Sequence, residues 1–417
     1  MGRGGRTRWD GADGRLPDSC FNLCSLFRSG AHHSHSPTTA RAPLDTRPIA
    51  AYTRWWLPAF RIHLPSTLSQ EATVNSLQRL RATLRGEPTD CLPCTPICMT
   101  FAARVAGVKY GDYCRDYRLL AEAQLRTAEQ FDLDVLSLCS DPAREAADCG
   151  APIRWFEDQP PAHDPNDAPI AEKTDLLKLR QPDPLGGGRM HDRVKAAAYL
   201  RERVGDEISI LGWIEGPVAE AADLRGINTI MYDTVDDPAF VRDLFEFILD
   251  MEIRFARAQV DAGVDMIGIG DAASSLLSPA THRDLVLPYQ KRLVAAVQAM
   301  GVPVRLHICG NTTHLLDALA RLGVDMNDVD YFTDVGLARR KLGPNVAILG
   351  NVEPVRYLLD GTPDEVYEAF RTCHEQVGAR YVVGPGCEVP PASPHENVRA
   401  MVRYARTAKP VLAGGGD

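Results

Sequence analysis

The sequence predicts a (β/α)₈ barrel, on three observations. Eight short apolar runs follow one another from residue 91 to 387, amphipathic helix patterns separate most of them, and polar or soft side chains collect where the runs end. Short apolar runs buried on both faces and separated by helices are the pattern of parallel strands with crossover helices. The sixth unit has little room for a helix, which leaves a doubly wound open sheet as the alternative.

The elements follow in chain order. Residues 1–66 are rich in arginine and hold neither lysine nor glutamate, so they read as a disordered extension or as a start assigned too far upstream. The cluster His32, His33 and His35 within them is an adventitious metal binder at most. The barrel proper is expected over residues 67–417. Its first run is "CLPCTPICM" (91–99), where Cys91, Cys94 and Cys98 alternate with prolines and apolar residues and read as buried, inert thiols. The others are 133–139, 208–214, 265–270, 303–309, 328–332, 345–351 and 380–387.

Helices are expected at 116–131, 239–263 and 283–301, and two later ones announce their starts. "TPDE" (362–365) and "SPHE" (393–396) each combine a capping hydroxyl, proline at the first helical position and glutamate three residues after the cap. An insertion occupies about 140–206. Within it, 153–170 reads as a strand pair joined by a long turn, and "LGGGRM" (185–190), which lacks the setting of a dinucleotide loop, reads as a flexible connection.

Composition removes several function classes. The 417 residues are 45% apolar, enough for a large core, and a net charge of −9 with mixed signs leaves no footprint for nucleic acid or an anionic membrane. No apolar stretch approaches the ~20 residues of a membrane span, and the N-terminus lacks the apolar core of a secretory signal, so a cytoplasmic enzyme is expected. Eleven cysteines without regular spacing read as reduced thiols rather than as a disulfide framework.

The strand ends carry the chemistry: Asp141, Glu215, Asp271, His307 with Cys309, Asp330, Asn351 and Cys387. Two residues apart on a strand, His307 and Cys309 point to the same side, and Cys387 ends the last run at the same rim. One imidazole and two thiols suit zinc, and three protein ligands mark a site that keeps a position open for catalysis. The competing reading is a buried histidine beside two inert thiols. Asp330 is the first choice for a fourth ligand or catalytic carboxylate, followed by Asp271 and Glu215, each of which could instead orient a ligand from behind. Electron-rich zinc of this type binds a substrate thiol and holds it as a thiolate, which suits alkyl transfer to sulfur.

The passages "GWIEGPVAEAADLRG" (212–226), "AGVDMIGIGDAASSLLSP" (262–279), "RLHICGNT" (305–312), "ILGNVEP" (348–354) and "VVGPGCEVPPASPHEN" (382–397) resemble the uroporphyrinogen decarboxylase superfamily. The likeness is to its zinc-dependent methylcobamide:thiol methyltransferase branch and runs from about residue 74 to 408. It implies the (β/α)₈ barrel, zinc on His307, Cys309 and Cys387, a methyl-corrinoid donor carried by a separate corrinoid protein, and a small thiol acceptor. It also implies cofactor-binding roles for Asp141, Arg104, Asn311 and Asn351. "MTFAAR" (99–104) keeps one of the two arginines that pair with substrate carboxylates in the true decarboxylases, Arg104, and has Thr100 in place of the other. That loss leaves a tetrapyrrole carboxy-lyase as the alternative and the methyltransferase as the expectation.

Overall fold

Seven of the apolar runs pair side by side as parallel strands in a computed structural model that describes residues 74–163 and 167–411. They are β1 (Val135–Ser137), β4 (Ser209–Glu215), β5 (Met266–Gly270), β6 (Val304–His307), β7 (Met326–Asp328), β8 (Ala347–Leu349) and β9 (Tyr381–Val382), adjacent in that order. Sequential order without reversal is what helical crossovers of one hand produce, and it curls the sheet rather than opening it from a central strand. The doubly wound alternative, whose strand order reverses at a switch point, is thereby excluded. The expected N-terminal extension, with His32, His33 and His35, lies outside the described residues.

Register places the chemistry on one edge. Glu215 lies opposite Gly270, Gly270 opposite His307 and His307 opposite Asp328, so the C-terminal ends of four strands form one row. The helices Tyr117–Phe131, Pro238–Asp261 and Leu287–Gln298 fall on the expected periodic segments, and each buries one apolar face against the sheet. Among the described residues no helix is long and apolar enough to cross a membrane.

The first run departs from expectation. It makes no strand, only a parallel bridge between Cys94 and Val383, with Thr95 N–H donating to Val383 C=O at 3.0 Å and Val383 N–H to Pro93 C=O at 2.8 Å. Asp134 N–H reaches Cys94 C=O from the other side at 2.9 Å. Pro93 and Pro96 remove the donors that a longer ladder would need. The sixth run is shifted as well: the strand is Met326–Asp328, and the chain turns beyond it because Asp330 Oδ1 accepts the Phe332 N–H at 3.1 Å.

Of the two expected helix starts, Thr362 and Glu365 form the full capping box. The second does not form: the helix His395–Thr407 begins one residue after Pro394, with no side-chain cap. In the insertion, β2 (Ile153–Arg154) and β3 (Ala162–His163) pair antiparallel, as the sequence predicts. The glycine run of 186–188 is a fitted lead-in to the helix Arg189–Val204 rather than a loose connection. A Cβ on Gly188 would sit 2.3 Å from Asp148 Oδ1, and the Asp148 carboxylate accepts the N–H groups of Arg189 and Met190 at 2.8 and 2.9 Å.

Candidate active site

Beyond the row of strand ends lies a cavity of about 570 Å³, in the size range of small-molecule sites. His307, Cys309 and Cys387 share part of its wall. Cys309 Sγ stands 3.2 Å from His307 Nε2, Cys387 Sγ stands 3.9 Å from the same nitrogen, and the two sulfurs are 4.0 Å apart. All three ligand atoms lie within 4.8 Å of one another, and among the described residues this is the one such group of three or more.

Local sequence explains the convergence. His307 closes β6; Gly310, with φ at +88°, then takes a left-handed turn that a side chain would strain and so keeps Cys309 at the rim. Asp330 Oδ2 accepts the Gly310 N–H at 2.9 Å and ties that turn to the end of β7. Behind the imidazole, Asp328 Oδ2 lies 3.6 Å from His307 Nδ1. Arg305 holds the same carboxylate with its Nε at 3.0 and 2.8 Å from the two oxygens. A carboxylate on the far nitrogen of a ligand histidine fixes ring orientation and raises basicity. A buried imidazole and two half-buried thiols, converging on one point, match the donor set of a zinc site with room for a substrate. Burial pushes the thiols of Cys94, Cys98 and Cys139 up and leaves them inert.

The other expected site residues divide. Glu215 and Asp141 line the cavity. Glu215 accepts from Arg144 at 3.0 Å, yet burial, stronger than that guanidinium, pushes its carboxyl well up. Burial pushes Asp141 up too, but there Arg189 outweighs it, binding both oxygens at 2.7 Å and holding the carboxyl below the usual range. Asp330 lines the cavity but is not among the three grouped ligands.

Asp271 is buried away from the cavity. Its carboxylate accepts from Val218 N, Ala219 N, Ser274 Oγ and Gln290 Nε2 at 2.7–3.0 Å, so it anchors the helix Pro217–Arg225. Arg104 is exposed on the helix Thr100–Ala106 and does not line the cavity. Asn311 is exposed and accepts its own loop's Thr313 N–H at 2.9 Å. Asn351 donates to Asp330 C=O at 3.3 Å and Thr333 C=O at 2.5 Å, bracing the turn after β7 from behind.

Sequence reasoning missed Arg189. It is the cation that Asp141 uses, delivered from the insertion 48 positions later, and it also packs over Trp155 with its guanidinium 5.0 Å from the ring centre. The available signal was a lone arginine opening a helix after a glycine run, which carries no spacing rule to tie it to Asp141.

Comparison with known proteins identifies the family. Relatives include a methylcobamide:CoM methyltransferase of Methanosarcina acetivorans, 30% identical over 80% of this chain and 98% of its own length. A second such methyltransferase, from Methanosarcina barkeri, is 28% identical over 78% and 95%. The uroporphyrinogen decarboxylase of Myxococcus xanthus is 27% identical over 67% of this chain and 82% of its own. Among solved structures, a methyltransferase from Methanosarcina mazei superposes with a TM-score of 0.73 at 26% identity, covering 79% of this chain and 98% of that one. The description "Uroporphyrinogen decarboxylase (URO-D)" matches residues 75–408, and with that span and these relatives the chain belongs to the uroporphyrinogen decarboxylase (URO-D) family.

Proposed function

We propose that this enzyme moves a methyl group from a methyl-corrinoid, presented by a corrinoid protein, to a thiol bound at zinc on His307, Cys309 and Cys387. The observation that carries the reading is the meeting of those three ligand atoms within 4.8 Å on the wall of a small cavity. The methylcobamide-dependent relatives, which match nearly their whole lengths, support the same chemistry. Zinc, when bound, supplies thiol acidity: it holds a substrate sulfur deprotonated at neutral pH while leaving it nucleophilic.

The chain's own residues do the rest. Asp328, clamped by Arg305, orients His307; Asp330 and Gly310 fix the position of Cys309. Apolar wall residues such as Met99, Trp213 and Val355 keep water from the reacting sulfur. A complete cobalamin is larger than the cavity, so the donor meets the acceptor at the mouth. The new bond joins the acceptor sulfur to the methyl carbon as the cobalt–carbon bond breaks, the cobalt keeps that bond's electron pair, and the thiol proton leaves to solvent.

The same reading closes the seven-stranded sheet into a (β/α)₈ barrel through the segment around Cys94, supported by its hydrogen bonds to Val383 and Asp134, and puts the site at the barrel's C-terminal mouth. Residues 67–417 then form the catalytic unit with residues 1–66 as an appendage, and the cytoplasm keeps the ligand thiols reduced. Decarboxylation of a tetrapyrrole is disfavoured, because Arg104 is exposed away from the cavity. Metal analysis of the purified protein tests the reading: about one zinc per chain is expected, and protein that neither carries nor takes up zinc contradicts it.

A further inference from the structure

We infer that Glu388, through its hydrogen bonds to Thr100, is a positioning residue that sets the place of the Cys387 thiol in the ligand group. The inference rests on the metal-site reading above and adds what aligns its third ligand. Glu388 follows Cys387 directly in the chain, and both line the cavity.

The three ligands are placed in different ways. His307 ends β6, with the Asp328 carboxylate behind its ring. Cys309 is placed through the residue after it, since Asp330 Oδ2 accepts the Gly310 N–H at 2.9 Å. Cys387 lies beyond β9 in a bend outside any strand or helix, so its direction depends on how that loop is tied down. Backbone bonds act on both sides of it: Gly386 N–H donates to Val352 C=O at 2.9 Å, and Val389 N–H to Ile97 C=O at 3.0 Å. Gly386 also lies directly against the turn after β7, where a Cβ would meet the Tyr331 backbone nitrogen at 2.5 Å.

Between those two anchors stand only Cys387 and Glu388. Glu388 Oε1 accepts both the N–H and the hydroxyl of Thr100, at 2.6 and 2.5 Å, and so ties the loop to the first turn of the helix Thr100–Ala106. Two short bonds converging on one oxygen fix the direction of the side chain as well as its reach. Each cysteine ligand thus has its following residue held through a carboxyl group: Gly310 by Asp330, and Glu388 by its own bonds to Thr100. A zinc–sulfur bond of about 2.3 Å needs its ligand held to within about 0.5 Å, and removing the Glu388 tie loosens the short stretch that carries the sulfur.

The test loads the full chain with cobalt(II) in place of zinc, because the sulfur-to-cobalt charge-transfer band reports thiolate ligands directly, and measures affinity by competition with a chelator. Glu388→Ala should bind cobalt about tenfold more weakly than wild type, the scale seen when an outer contact that supports a ligand is lost, and should show a weaker charge-transfer band per bound ion. Thr100→Val keeps the N–H contact and should fall between the two. Thr100→Ser and Glu388→Gln keep both donors and the acceptor and should stay close to wild type. Should Glu388→Ala not fold, Thr100→Val against Thr100→Ser carries the same comparison. Lower stability in urea with unchanged affinity and an unchanged band marks a merely structural contact and overturns the inference. Graded cobalt binding without methyl transfer from methylcobalamin to any thiol leaves the inference standing and removes the methyltransferase reading instead, whereas a wild type that takes up neither cobalt nor zinc overturns both.

Discussion

Replacing Arg189 by methionine keeps a side chain of similar length and removes the guanidinium, and with it the ion pair with Asp141, the hydrogen bond to Cys114 C=O at 3.1 Å and the packing over Trp155; the double variant with Asp141 separates the ion pair from the other two. Asp141 has no exposed side-chain surface and Arg189 only 14%, so the carboxylate cannot recover its lost bonds from water. Two contacts of 2.7 Å disappear; Ser140 Oγ at 2.8 Å and Ala143 N at 3.2 Å remain. Breaking a buried pair from one side costs about 3 kcal/mol, close to a 150-fold fall in the folding equilibrium. Asp141→Asn in the same chain should return a good part of that loss, a coupling on the order of 1–2 kcal/mol.

The sign with pH follows from the lowered Asp141 carboxyl. Its contribution is present above the usual carboxylate value and is lost as pH falls toward the depressed folded value, so the gap between wild type and variant should close in acid below about pH 4. Urea unfolding at pH 7 and at about pH 3, inside the window where the contribution is being lost, for both single variants and the double variant, supplies every number. A loss under about 1 kcal/mol for Arg189→Met, or additive single effects, would refute the claim that this pair braces the cavity wall.

Further outcomes are expected. Cys387→Ser and His307→Ala should each lower zinc content while leaving circular dichroism unchanged, since a rim site does not hold the sheet together; full zinc retention in both would remove the ligand assignment. Asp328→Asn should weaken zinc affinity about 10–100-fold, the usual effect of losing a carboxylate behind a ligand histidine, as competition with a chelator would show. Burial, only partly offset by Arg144, pushes Glu145 up to about 7. A raised carboxyl stabilises the fold fully below the unfolded value and loses that contribution as pH rises through the folded one, so wild type should lose on the order of 2 kcal/mol relative to Glu145→Gln between pH 5 and 8. Equal slopes for the two proteins in urea melts at several pH values would show that Glu145 does not titrate in that window.

The barrel-like order of strands and the convergence of His307, Cys309 and Cys387 were legible in the sequence because both rest on short-range rules. Period-two placement put His307 and Cys309 on one side, and the end of the last run put Cys387 beside them. What stayed hidden depends on side-chain direction at a distance. Asp271 and Glu215 both follow buried strands, yet one turns back to anchor a helix and the other faces the cavity, and no local pattern separates them. Arg104 matched a family position but sits on an outward face, while Arg189 came from an insertion that no strand-end argument reaches. The "CLPCTPICM" run was over-read as a strand because apolar content was counted without discounting the donors that its two prolines lack.

The most direct measurement follows methylcobalamin by its absorbance during incubation with zinc-loaded wild type or Cys309→Ala and each of a panel of small thiols, beside a uroporphyrinogen decarboxylation assay on the same preparations. Thiol-dependent demethylation by the wild type, abolished in Cys309→Ala with corrinoid binding retained and no decarboxylation in either, is the predicted result. Uroporphyrinogen decarboxylation that proceeds equally in both proteins, without demethylation, would contradict the account.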